Sequence, residues 1–94
     1  SQVLTEWAAS RPALRADLRL LASLLPRQSF ITRVELLDEA TFSVRAMLPD
    51  MASVATYLRV TEEHPEIARV QVLGVQREKQ WFQLELQMTM NRNG

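Results

Sequence analysis

The sequence predicts one α+β domain in which two helices cover one face of a four-stranded antiparallel sheet. Two stretches place apolar residues at helical spacing, and four stretches alternate apolar with polar residues, as half-buried strands do. Prolines at positions 26, 49 and 65 separate these stretches. The predicted order is helix, strand, strand, helix, strand, strand, so one αββ unit occurs twice.

The first helix is predicted from about residue 10 to residue 25. Ser10 can cap it by accepting a first-turn N–H, Pro12 suits the first turn, and Pro26 ends the helix. Its apolar stripe consists of Leu14, Leu18, Leu21 and Leu25. Residues 1–10 continue the same spacing, so they are either the remnant of a longer helix that descends from a membrane anchor or a frayed terminus.

The first hairpin and the second helix follow. Residues 30–37 are predicted as a strand, residues 38–40 reverse the chain, and residues 41–48 form the second strand. Asp50 is expected to cap the second helix, which ends near residue 63 because Pro65 disfavours helical geometry at the residue before it. The inner face of this helix is predicted to comprise Met51, Val54, Ala55 and Leu58.

The second hairpin spans residues 67–90, with a bulge at Gly74 and a charged turn at residues 77–80. Its last strand alternates most regularly, which favours a central position in the sheet. A right-handed connection through the second helix leaves room for this strand between the hairpins, in the order third, fourth, second, first. This architecture is a circular permutation of the ferredoxin-like fold.

Composition narrows the classes of function. Eleven basic and eleven acidic residues balance, which argues against a general nucleic-acid or anionic-lipid binder. The absence of cysteine excludes a disulfide framework, a thiol nucleophile and a cysteine metal site. The longest apolar cluster, residues 20–25, is far shorter than the ~20 residues that cross a bilayer. Because the sequence opens at Ser1 and not at Met, we expect it to be part of a longer protein.

The sequence offers little catalytic chemistry. His64 is the only histidine, and the nearby glutamates do not give it the spacing of a metal site. One internal glycine cannot build a phosphate-binding loop. The open sheet face is predicted to carry Trp81 and Arg45, which is too little aromatic and basic surface for an RNA-binding platform. We therefore predict a non-enzymatic domain without catalytic, metal or cofactor residues.

Apolar side chains outside the predicted inner faces are candidates for a partner surface. The first strand joins them because it lies at a predicted sheet edge, where it can pair with another chain. For Leu20 and Leu24, burial in a wide leucine-rich core is an equal alternative. The candidates are Leu20, Leu24, Ile31, Arg33, Leu37, Tyr57 and Val60.

Several stretches resemble the PilN family. In that family a leucine-rich helix ends in Leu-Pro and leads into a strand that contains threonine, as residues 20–26 (LLASLLP) and 30–36 (FITRVEL) do here. Tyr57-Leu58, His64-Pro65, residues 70–72 (VQV) and residues 82–86 (FQLEL) fall where the family has its second helix, a break and its closing hairpin. The resemblance covers residues 11–90 and leaves residues 91–94 as a polar tail. One departure is Ala46-Met47-Leu48, where the family commonly has a glycine.

The resemblance implies a structural role in a bacterial inner-membrane assembly platform. PilN-like domains include PilN of type IV pilus machines and the C-terminal domain of type II secretion protein L. It implies a single-pass inner-membrane protein whose periplasmic domain pairs with itself and with a similarly folded partner, PilO or secretion protein M. Any membrane contact would then be made through an anchor outside this sequence. The Arg11-Pro12 start and the Arg77-Glu78 turn lean toward the secretion type, and both types stay open.

A small-ligand sensor of the ACT-like kind is the alternative function. Such domains share the architecture of one sheet with two helices. They bind amino acids at loop glycines between paired domains, and this chain has only one internal glycine.

Overall fold

The computed structural model describes residues 12–92 as a two-layer α+β structure. The elements are α1 (Pro12–Ser23), β1 (Phe30–Leu36), β2 (Thr41–Leu48), α2 (Met51–Glu63), β3 (Ile67–Glu78) and β4 (Trp81–Met90). The four strands form one antiparallel sheet in the order β1-β2-β4-β3. The predicted fold class and strand order are confirmed. The predicted cap at Ser10 and the assignment of residues 1–10 lie outside the described residues.

The core lies between the helices and one face of the central strands. Val44 of β2 lies opposite Leu86 of β4, and Ala46 lies opposite Leu84, so alternate residues of both strands point to the same side. Burying a large apolar side chain stabilises a fold by roughly 1.5–3 kcal/mol. The buried side chains of β2 and β4 therefore contribute much of the stability of the sheet. The buried apolar residues are Leu21, Phe42, Val44, Ala46, Leu48, Val54, Tyr57, Ile67, Leu84, Leu86, Met88 and Met90.

The helix α2 begins and ends as the sequence predicts. The carboxylate of Asp50 accepts the N–H of Ser53 at 2.7 Å, which caps the first turn. His64 is extended, with φ −73° and ψ 129°, because Pro65 follows it. The His64 ring nitrogen Nδ1 accepts the N–H of Glu66 at 3.1 Å. The only histidine therefore closes the turn into β3.

The inner face of α2 differs from the prediction. Met51 and Ala55 are exposed, whereas Tyr57, predicted as partner surface, is 0% exposed. The face that packs on the sheet combines Val54, Tyr57, Leu58 and Thr61, at helical spacing. Tyr57 can be buried because its hydroxyl donates to the carbonyl of Leu21 in α1 at 3.1 Å. Burial raises the pKa of this hydroxyl, so Tyr57 joins the two helices as a neutral donor.

The second hairpin is tighter than predicted. Glu78 lies opposite Trp81, so the turn consists of Lys79 and Gln80 alone, with Lys79 in the left-handed region at φ 58°. The side-chain Nε of Arg77 donates to the Lys79 carbonyl at 3.2 Å and supports this turn. The predicted bulge is present, because Val72 lies opposite Leu86 and Gly74 opposite Glu85, which leaves Leu73 as the extra residue.

Candidate partner interface

The seven predicted surface residues occupy three environments. Tyr57 belongs to the core, so its assignment as a partner residue is wrong. Arg33 and Leu37 are exposed, with Leu37 at 50%. The remaining four are half-buried and pack against the core, namely Leu20, Leu24, Ile31 and Val60. The apolar surface that the structure leaves open lies mostly elsewhere.

That open apolar surface is concentrated on the edge strand β3. This strand is the longest of the sheet, with 12 residues, and nine of them are exposed. Val72, Leu73 and Val75 are 45%, 48% and 40% exposed. Within residues 12–92, β3 pairs with β4 alone, so its outer edge has no strand beside it. An unpaired edge with apolar side chains is a template for pairing with another chain.

Val72 and Val75 are exposed although they lie on the core side of the sheet. Val72 and Val75 lie opposite the buried residues Leu86 and Leu84, so they belong to the same sheet face as the core. Ile67, at the start of β3, is buried on that face. Val70 is half-buried beside the core, and Val72 and Val75 further along form an apolar strip that residues 12–92 leave exposed. An apolar strip of this kind loses water contact when a partner covers it, which favours binding.

The charges of β3 lie at the ends of its central segment. Residues 70–76, with the sequence VQVLGVQ, contain no ionisable side chain. Arg69 precedes this segment, and Arg77 and Glu78 follow it. Natural edge strands commonly carry charged side chains that oppose pairing. The middle of β3 lacks that protection.

The open face of the sheet is polar and electrically balanced. At its centre, Arg45 donates to the Glu85 carboxylate from Nη2 at 2.8 Å and from Nε at 3.1 Å. Both side chains are about one-third exposed, and a pair this exposed contributes little to stability. Because Glu85 balances the charge of Arg45, the centre of this face has little excess positive charge to bind a phosphate backbone.

An open cleft of about 540 Å³ lies at one corner of that face. The rings of Phe30 and Trp81 meet edge-to-face, with centroids 5.4 Å apart and an interplanar angle of 74°. Gln28, Pro49 and Gln80 complete the walls. The sequence does not predict that Phe30 meets Trp81, because the contact depends on the registers of β1 on β2 and of β2 on β4. Apolar walls with a few amide groups suit a small, largely apolar ligand.

The chain end beyond β4 holds a contact that the sequence did not reveal. Arg92 reaches Asp17 of α1 with two N–H···O bonds, at 2.7 and 3.3 Å, and also donates to the Glu39 carbonyl at 2.9 Å. The Asp17 hydrogen bond raises the pKa of the Arg92 guanidinium. Asp17 is buried, with 8% of its surface exposed. Arg92 therefore supplies the partner that a buried carboxylate requires.

No family model, curated protein or solved structure matches the chain. Neither helix within residues 12–92 has the length and apolar character that a membrane crossing requires. In the same residues, no group of three or more histidine, cysteine, aspartate or glutamate side chains is placed to hold a metal ion. The β3 edge and the aromatic cleft are the two features of this part of the chain from which a function is proposed below.

Proposed function

We propose that this domain is a non-catalytic structural adaptor that acts by homo- and heterodimerisation. The observation that carries the proposal is the exposed apolar edge of β3, with Val72, Leu73 and Val75. The αββαββ fold offers such an edge to a similarly folded partner, because two sheets of the same kind can join into one.

The proposed setting is the inner-membrane assembly platform of a type II secretion system or a type IV pilus machine. The sequence resemblance to the PilN family supports it, and the αββαββ fold agrees with that resemblance. In this setting the domain lies in the periplasm, and its partner is a PilO-type or secretion protein M-type domain. The resemblance implies pairing between related domains in either system.

Sedimentation velocity over a wide concentration range tests this function. The domain is measured alone and then mixed with the periplasmic domain of a PilO-type or M-type protein from the same source. We expect concentration-dependent self-association and exchange into a mixed complex. A domain that remains monomeric and binds neither partner would contradict the adaptor function.

Binding of a small ligand is the second candidate function, and the aromatic cleft favours it. The cleft volume of about 540 Å³ falls within the usual range for small-molecule sites. The ACT-like mode itself is not supported, because Gly74 lies within β3 and not in a loop. A Trp7→Phe variant leaves Trp81 as the single tryptophan reporter. A ligand at 100 times its Kd should quench Trp81 fluorescence and add about 2.7 kcal/mol to the free energy of unfolding.

A further inference from the structure

We propose that β3 pairs antiparallel with β3 of a second copy across a twofold axis, in the register that places Arg69 opposite Glu78. This inference rests on the proposed function and names the surface and the geometry through which it acts. In this register Val72 of one copy lies opposite Val75 of the other, and Gln71 lies opposite Gln76. The two four-stranded sheets become one eight-stranded sheet.

The bulge makes this register possible. In a regular strand, residues separated by an odd number of positions point to opposite faces, so they cannot lie opposite each other in a twofold antiparallel pair. The extra residue Leu73 shifts the alternation. Val72 and Val75 therefore share the core face, and Arg69 and Glu78 share the open face, opposite Thr89 and Trp81.

Charge selects this register among its neighbours. Among residues 12–92, neither Arg69 nor Glu78 takes part in an ion pair. The proposed pairing brings them together twice, once at each end of the contact. Shifting one strand by two residues in either direction places Arg69 opposite a glutamine, Gln76 or Gln80, and removes both ion pairs. Opposite charges directly across an antiparallel pair stabilise it.

Gly74 has no evident role within the monomer. Its φ is not positive, and a Cβ at this position would meet no atom within 4 Å. In the proposed register Leu73 of one copy lies opposite Gly74 of the other. The missing side chain then leaves room for the exposed leucine at the centre of the contact, where the twofold axis passes.

The contact is small. Two strand edges with their neighbouring side chains belong to the class of interfaces below about 1,200 Å², which are weak and exchange readily. We therefore expect a dissociation constant in the micromolar range or weaker. Such a dimer can give way to a mixed complex with a related domain.

Cysteine cross-linking tests the register directly, because the native chain has no cysteine. Val72→Cys and Val75→Cys are prepared separately and mixed under mild oxidation. Residues directly opposite in an antiparallel pair lie within disulfide reach. In a dimer of Val72→Cys alone, the two introduced thiols lie three positions apart along the strands, roughly 10 Å, which is beyond that reach. We expect the mixed disulfide to exceed either homodimeric disulfide by about tenfold.

The matched control repeats the spacing on the other edge strand. Thr32→Cys and Glu35→Cys on β1 are both exposed, and their mixture should form no preferred disulfide. A preference for the β1 pair, or equal amounts of all disulfides from β3, would overturn the proposed pairing.

A charge-reversal cycle tests the ion pairs. Arg69→Glu and Glu78→Arg should each weaken self-association by about tenfold or more, because each creates two like-charge contacts per dimer. The double variant restores opposite charges and should recover most of the affinity. Arg33→Glu on β1 serves as the control and should leave self-association unchanged. Additive weakening in the double variant would overturn the register.

The outcomes separate this inference from the proposed function. Self-association without the Val72–Val75 cross-link, or binding only to the PilO-type or M-type partner, overturns the β3 pairing and leaves the adaptor function standing. A monomer that binds neither partner overturns both. Circular dichroism of each variant confirms that these exposed substitutions leave the fold intact.

Discussion

The two edge strands of the sheet, β1 and β3, can both pair with another chain through their outer edges, but they differ in how far their side chains oppose such pairing. Both have an outer edge without a neighbouring strand in the described residues, and both have an irregular register. In β1 the ion pair of Arg33 and Glu35, with atoms 3.6 Å apart, lies in the middle of the strand. In β3 the middle segment, residues 70–76, is uncharged.

The strands also differ in cover. On β1 the side chains that face the core side are half-buried and pack against the core, namely Ile31, Val34 and Leu36. On β3 the equivalent valines, Val72 and Val75, are exposed. Charge and cover both protect β1, whereas β3 has neither from Val72 to Val75. The difference teaches that strand order alone does not identify a pairing edge; the side chains in the middle of the strand do.

The largest expected effect separates the centre of the sheet from the β3 edge. Leu86 and Val72 lie opposite each other on one face, but Leu86 is buried and Val72 is exposed. Leu86→Ala should lower the free energy of unfolding by about 2–5 kcal/mol, because it leaves a cavity. Val72→Ala should change it by no more than about 0.5 kcal/mol. Urea unfolding measures both, and similar losses would show that the β3 valines belong to the core.

The next effect concerns the contact between the two helices, away from the β3 edge. Tyr57→Phe removes the hydroxyl that donates to the Leu21 carbonyl and leaves that buried acceptor unpaired. We expect the free energy of unfolding to fall by about 1–2 kcal/mol, with self-association unchanged. Chemical denaturation with a parallel sedimentation run checks both. A loss of association without a loss of stability would return Tyr57 to the partner surface.

A third, smaller effect exchanges the properties of the two edges. Arg33→Thr with Glu35→Thr removes the charges of β1, and Gln71→Lys places a charge within β3. Both changes are at exposed positions, so each should alter the free energy of unfolding by about 0.5 kcal/mol or less. The first should increase self-association and the second should weaken it, as light scattering would show. If the β1 variant associates no more than the native chain, charge is not what protects that edge.

The smallest effect is a pH dependence of the turn that follows β1. Asp38 accepts the Ala40 N–H at 2.9 Å, and this bond lowers the pKa of Asp38 below its ordinary value. The Ser53 N–H lowers the pKa of Asp50 in the same way. A lowered folded pKa gives stabilisation that is present above the unfolded pKa and is lost as the pH falls through the folded value. The melting temperature should therefore decrease when the pH is lowered below about 4.

The control for this pH dependence replaces both carboxylates. An Asp38→Asn/Asp50→Asn variant keeps side-chain acceptors at both positions and should show a flatter melting profile from about pH 6 to about pH 2. The turn after β3 is instead supported by the Arg77 side chain, which donates to the Lys79 carbonyl. An equal pH dependence in native and variant chains would place the acid sensitivity elsewhere.

The sequence predicted the order of the elements well, because prolines and alternation act locally. The strand order followed from the regular alternation of β2 and β4, and the end of α2 followed from Pro65. The face of α2 was predicted wrongly, because the burial of Tyr57 depends on a carbonyl of α1, which spacing within α2 does not reveal.

The contacts that join distant parts of the chain had no local pattern. The Arg92–Asp17 pair and the Phe30–Trp81 contact both require the tertiary arrangement. The sequence was sufficient to identify β3 as a candidate pairing edge, because the predicted order places β3 outermost and residues 70–76 are uncharged. The exposed fractions of Val72 and Val75 could not be predicted, because they depend on the tertiary packing around β3.

The most direct test is sedimentation velocity of Val75→Lys beside Leu37→Lys, each over the same concentration range as the native chain. Both positions are exposed and apolar, one on the β3 edge and the other just after β1. If association uses β3, Val75→Lys remains monomeric at concentrations where the native chain and Leu37→Lys dimerise. Dimerisation of Val75→Lys with the native dissociation constant would contradict the central claim that β3 is the pairing edge.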